Sequence, residues 1–151
     1  MTGDAFIQFA GELAARAASA EASKRPTDEA RYRSAVSRAY YGAFQLGIAI
    51  LNSLGFRPPR NANKHFYVHV RLSNSGDSSV AEAGSLLSDL QSDRNDADYD
   101  LADASVGTQQ FAMTSVETAQ DIRRLLDGCL DEPRRTAIRD AILNWEKLTN
   151  Q

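Results

Sequence analysis

The chain is poor in the residues from which sheets, disulfides and membrane spans are made. Its 151 residues include 6 Val and 6 Ile against 23 Ala. Alanine is the best helix former and β-branched side chains favour strands, so the balance excludes a sheet protein and predicts an all-α chain. A lone cysteine, Cys129, rules out an intrachain disulfide and a cysteine-based zinc cage and fits a reducing interior, with a place in the core as its simplest role. No uncharged apolar run approaches the roughly 18 residues a membrane helix needs. The opening Met-Thr-Gly-Asp-Ala-Phe-Ile-Gln-Phe has no basic start, so no membrane contact and a cytoplasmic location are expected. Charge of one sign is also scarce. Against 20 Asp and Glu stand 17 Lys and Arg, a net −3 that is too small and of the wrong sign to hold nucleic acid by bulk attraction, so any such contact has to be local. Internal repeats, low-complexity tracts, a Gly-x-Ser-x-Gly elbow and a phosphate-cradling glycine loop are all missing.

What is present is a composition 42% apolar and 25% charged, enough for one folded domain over residues 1–151. Apolar positions recur at steps of three and four, the spacing that lines one face of a helix. Phe6, Phe9, Ala10, Leu13, Ala14 and Ala17 predict a first helix over 4–22. Tyr32, Ala35, Val36, Ala39, Tyr40, Ala43, Phe44, Gly47, Ile48, Leu51 and Leu54 predict a second, opened by Thr27 and stopped by Gly55. Asn61 or Asn63 is placed to cap a short helix to about Leu72. Val80, Ala83, Leu87 and Leu90 mark a helix to Arg94, followed by an acidic loop over 95–105. Ser105 or Thr108 then caps a helix carrying Phe111, Ser115, Ala119, Ile122, Leu125, Leu126 and Cys129, and Pro133 opens a last one with Ile138, Ala141, Ile142, Trp145 and Leu148. Such helices bury their stripes most simply as an antiparallel bundle of four main helices with short additional ones.

Chemistry concentrates in the middle of the chain. Residues 55–76 contain no acid but carry Arg57, Arg60, Lys64 and Arg71 among Phe56, His65, Phe66, Tyr67 and His69, the mixture of cations and rings that single-stranded nucleic acid requires. The favoured and simpler reading is that those rings belong to the core and the basic turn is incidental. Residues 77–103 hold eight acids and Arg94 alone, so the two segments can neutralise one another within the fold or across a dimer. Asp96, Asp98 and Asp100 alternate like the start of a calcium loop, but Leu101 and Gly107 stand where that loop needs glycine and glutamate. His65 and His69 lie a turn apart without a third ligand, and no metal or other cofactor is expected. Arg94 continues the apolar face of its helix. A guanidinium hidden there needs a partner, either Asp98 in a structural pin or a phosphate in a cleft, the latter with Asn95 and Tyr99 beside it and Arg38 and Tyr41 across from it.

Three segments together then become recognisable: Arg33-Ser-Ala-Val-Ser-Arg38-Ala-Tyr40-Tyr41-Gly-Ala-Phe44, Lys64-His65, and Arg94-Asn95-Asp96-Ala97-Asp98-Tyr99-Asp100. In this order they resemble the landmarks of the HEPN (higher eukaryotes and prokaryotes nucleotide-binding) superfamily, especially its small stand-alone bacterial members. The resemblance implies a helical bundle that pairs as a homodimer, in toxin–antitoxin or defence settings beside a minimal nucleotidyltransferase. In ribonuclease members an arginine is followed, four or so residues on, by a histidine, and two copies meet at a seam to cleave RNA. Arg94 matches the arginine, whereas Tyr99 occupies the histidine position, and a phenol is a poor proton shuttle near neutrality. The first expectation is therefore a HEPN-like partner protein that binds a nucleotidyltransferase-like protein or RNA without the usual Arg/His chemistry. A metal-independent endoribonuclease using Arg94, Tyr99 and His65 is the alternative, with Arg38, Tyr41, Lys64, Asn95 and Asp98 as binding residues. A structural homodimer with no nucleotide ligand is the third.

Overall fold

A computed structural model of the chain describes residues 2–16 and 26–150. They form α1 (Gly3–Ala15), α2 (Pro26–Ser53), α3 (Lys64–Ser73), α4 (Ser78–Tyr99), α5 (Gln109–Leu125) and α6 (Arg134–Thr149), with no strand among the described residues. The chain is all-α, as its composition predicts.

The long stripe of α2 is the common wall of the structure. Its Tyr32, Ala35, Val36, Ala39, Tyr40, Ala43, Phe44, Leu51 and Leu54 are all buried, and α1, α3, α4 and α5 each pack on it. Gly55 ends it with φ +96°, a left-handed turn that a side chain resists. The face of α1 turned to α2 differs from the predicted stripe: Ile7, Ala10 and Ala14 are buried, while Phe9 is 48% exposed. Close approach is the reason. A Cβ added at Gly42 would lie 2.6 Å from Ile7 and 2.8 Å from the Gly3 carbonyl oxygen, so the crossing admits small residues and turns the larger Phe9 ring outward. The expected continuation of this helix through Ala17 to Ala22 lies outside the described residues.

Helix α4 starts where Asp77 accepts the Val80 N–H at 3.0 Å, and buries Val80, Ala83, Leu87 and Leu90 as spaced. It does not stop at Arg94. It runs to Tyr99, with Ala97 buried, so the predicted loop begins five residues late. The cause is Arg33, only 6% exposed, which reaches from α2 to the carbonyl end of α4. Its Nη1 donates to the carbonyls of Asp96 (3.4 Å), Ala97 (3.2 Å) and Asp100 (3.0 Å), its Nη2 to that of Asp103 (2.6 Å), and its Nε to Glu29 (2.8 Å). The last carbonyls of a helix lack intrahelical partners and carry partial negative charge, so a buried cation there both satisfies and neutralises them.

Helix α5 is capped by Thr108, whose hydroxyl accepts the Phe111 N–H at 3.2 Å. It ends at Leu125, leaving Cys129 buried in the turn beyond. Two arginines fasten α6. Arg134 clasps both oxygens of Asp77 at 2.7 and 2.9 Å, and buried Arg71 pairs with Glu146 at 2.8 Å while its guanidinium lies 3.4 Å from the Tyr67 ring centroid.

Two stability outcomes follow. Arg33→Gln leaves several carbonyls and Glu29 without their cation and should cost about 3 kcal/mol or more in urea unfolding, whereas Arg38→Gln on the exposed flank of the same helix should cost about 0.5 kcal/mol or less. Asp77 gives a pH signature. Hydrogen bonding from Arg134, against the cost of desolvation and helped by the α4 N-terminus, lowers its carboxyl from 3.8 to about 2. A folded-state value below the unfolded one means the contribution is complete above about pH 4 and lost as pH falls through about 2. Asp77→Asn should remove about 1–2 kcal/mol at neutral pH and abolish that acid-limb loss.

Candidate functional site

The three segments that carry the family resemblance meet at one place, where the middle of α2 faces the start of α3 and the end of α4. Steps of three and four along α2 put Tyr40 and Phe44 in its buried stripe and Ser37 and Tyr41 on the half-buried flank. Before α3, the Asn61 side chain accepts the Asn63 N–H at 3.0 Å and closes the turn that starts the helix at Lys64. Asn63 occupies the N-cap position without a side-chain capping bond. This start sets His65 against α2: its Nδ1 lies 2.5 Å from the Tyr40 hydroxyl, and its ring stacks on Phe44 with centroids 4.5 Å apart. The Lys64 ammonium sits 5.7 Å from the Phe44 centroid.

The extension of α4 to Tyr99 places Arg94 and Asp98 one helical turn apart. Arg94 Nε is 2.8 Å from Asp98 Oδ2, and its Nη1 donates to Asn95 Oδ1 at 3.1 Å. Asp98 also accepts the Ser37 hydroxyl proton, which ties the pair to α2. The guanidinium carbon stands 5.3 Å from the Tyr99 centroid and 6.0 Å from that of Tyr41. Although Nε is close to the carboxylate, its N–H is not aimed at it, and this buried donor makes no hydrogen bond. Asp98 thus balances the charge of Arg94 without using all its donors. The expected ion pair is present, but the loop after α4 is pinned by Arg33; Arg94 and Asp98 keep 21% and 28% of their side-chain surface exposed.

Charge and burial set the protonation states. His65 has its proton affinity lowered first by burial, then by Lys64 and Arg94, so it is neutral near pH 7. Burial pushes the Tyr40 phenol far upward, with Arg94 opposing, so it keeps its proton. That hydroxyl has no other partner among the described residues, so it donates to Nδ1 and the ring proton of His65 is assigned to Nε2.

Arg94, Asn95, Asp98, Tyr41 and Tyr99 therefore form one contact group, and Tyr40 and Phe44 join Lys64 and His65 to it. Arg38 stays outside: it is exposed and makes no side-chain hydrogen bond or ion pair among the described residues. Ser37, Tyr40 and Phe44 belong to the group although the sequence does not mark them as site residues: Tyr40 and Phe44 stand in the core stripe as well as in the resembling segment, and the Ser37–Asp98 bond spans 61 residues, beyond any local spacing rule.

The other arrangements considered do not assemble. Asp96 and Asp98 lie on different faces of α4, while Asp100 turns to the N–H groups of Ala102 and Asp103. His69 packs edge-on against Phe66 at 5.3 Å, away from the Tyr40 contact of His65. Among the described residues no group of three or more His, Cys, Asp or Glu is placed to hold a metal ion. No ion pair among them joins the basic segment 55–76 to the acidic segment 77–103; Arg71 turns to Glu146, Asp77 to Arg134 and Arg94 to Asp98. A cavity of about 540 Å³ lies elsewhere, near Ser79, Glu82, Asp121 and Arg134, and its Arg124 and Arg134 are already paired with Asp121 and Asp77.

In comparison with known proteins, the chain matches no family profile, no curated protein and no solved structure.

The depressed basicity of His65 gives a further outcome. A folded-state value below the unfolded one means stability is present above about pH 6.5 and declines as the histidine is forced to charge below it. Urea titrations should show wild-type stability falling between about pH 7 and 5, with a shallower fall in His65→Gln.

Proposed function

We propose that the chain is a HEPN-like protein, an antiparallel bundle of α1, α2, α4 and α5 with α3 and α6 added, that acts as a homodimeric partner in a toxin–antitoxin or defence-type system and holds single-stranded RNA at the Arg94 cluster. A nucleotidyltransferase-like protein is its counterpart in such a system. The reading rests on the HEPN resemblance and on one observation that supports it: the three resembling segments converge on α2, where the Arg94 guanidinium stands 5.3 Å from the Tyr99 ring and 6.0 Å from that of Tyr41, Asp98 binds Ser37, and Lys64 and His65 lie against Phe44 and Tyr40. Phosphates need the cations and unpaired bases need exposed ring faces, and Tyr99 is 74% exposed.

Binding without cleavage is the favoured form. Tyr99 stands where the ribonuclease members carry their histidine, and the Nδ1 of His65 is engaged by Tyr40. One observation favours the second reading, a metal-independent endoribonuclease: an imidazole does lie within electrostatic reach of Arg94.

Arg94→Ala separates these from a structural role. Its ion pair is partly exposed and within one helix, so thermal unfolding should register about 1 kcal/mol or less, while binding of a short oligouridylate weakens about tenfold or more and the RNA stays intact. Unchanged RNA affinity in the variant overturns the binding site. RNA cleavage by wild type that is lost in the variant replaces it with the nuclease.

A further inference from the structure

His65 has no evident task in holding RNA while it is neutral. It lies on a floor made by Phe44 and Tyr40, with Lys64 of its own helix over the same Phe44 ring, and the charges of Lys64 and of Arg94 from α4 both act on it. The polar and charged groups around it are the Tyr40 hydroxyl, Ser37, Tyr41 and the more distant, exposed Arg38 from α2, Lys64 from α3, and Arg94, Asn95 and Asp98 from α4. Asp98 is the one carboxylate of this set, and it is held by Arg94 and Ser37. Burial and two cations therefore act against charge on the imidazole with no free anion to offset them, and a third charge is disfavoured until an anion arrives.

Resting on the RNA-binding reading above, we propose that His65 is the proton-linked third cation of the phosphate site: a phosphodiester seated between Lys64 and Arg94 draws a solvent proton onto His65 Nδ1. The balance is one proton taken up per site occupied. The Tyr40 bond then reverses. Nδ1–H donates to the phenol oxygen, and the Tyr40 hydroxyl, which donated to Nδ1 before, keeps its proton and turns its O–H toward a phosphate oxygen. One added charge so makes the imidazole cationic and turns the Tyr40 hydroxyl into a donor for the ligand. The lowered basicity of the free imidazole is the resting state that such a switch requires, because a histidine already charged at neutral pH would have nothing to take up. An added negative charge within a few ångströms reverses the local field that lowers it.

A short oligouridylate is the suitable probe, since neither its phosphodiesters nor its bases titrate between about pH 5.5 and 7.5. At constant ionic strength, wild-type affinity should rise about three- to sixfold from pH 7.5 to 5.5, the change expected over this range when binding raises one imidazole by about a unit. His65→Gln should bind with an affinity flat within about twofold, and His69→Gln should keep the wild-type slope. A flat wild type, or a slope retained in His65→Gln, overturns the linkage while leaving RNA binding intact. No binding at either pH overturns the RNA reading itself. In that event sulfate decides the site by NMR: sulfate that raises the His65 titration midpoint in wild type but not in Arg94→Gln upholds proton-linked anion capture, and a midpoint that sulfate leaves unmoved overturns it.

Discussion

The end of α4, and with it the Arg94–Asp98 side of the α2–α4 junction, depends on one guanidinium, that of Arg33. The last turn of α4 contains Asp96 and Asp98 and is followed by Asp100, acids where the helix dipole disfavours them. Left alone, such a turn would fray. Arg33 supplies the missing positive charge from a neighbouring helix and accounts for four backbone carbonyls across Asp96 to Asp103. That cap lets α4 continue past Arg94, and the continuation in turn sets Asp98 one turn from Arg94 and within reach of Ser37.

The site is therefore a product of packing between distant segments, with α2 as the shared wall. One face of α2 gives the core its largest buried rings, Tyr40 and Phe44, and the same two rings support His65 from α3. A short move along the helix gives Ser37 and Tyr41, which meet α4. The same residues that build the core thus hold the imidazole and the guanidinium in fixed positions.

Much of this architecture is legible in the sequence because helices leave a local signature. The α2 stripe and the burial of Val80 to Leu90 follow from spacing alone, and residue type narrows the α5 cap to Ser105 or Thr108, of which Thr108 is the one used. The face of α1 was not legible, since Phe9 and Ile7 are both apolar and the choice between them is made by the backbone approach at Gly42. Nor was the end of α4. Its acidic, aperiodic residues read as a loop until a cation 63 residues away in sequence is known to cap them. A hint was present: Arg33 lies three residues before Val36 and seven before Tyr40, on the buried face, the same placement that drew attention to Arg94. Spacing identifies an arginine on an apolar face; it does not tell which of two such arginines is sealed in and which keeps donors free.

Native-state hydrogen exchange on wild type and Arg33→Gln tests this dependence most directly, because it reports opening segment by segment. The account predicts that loss of the guanidinium collapses protection at the C-terminal end of α4 and in residues 100–103, while protection in α5 falls only by the global loss of stability. Protection retained at 94–103 in the variant, or lost uniformly along the chain, would contradict the claim that Arg33 holds this end of the molecule in place.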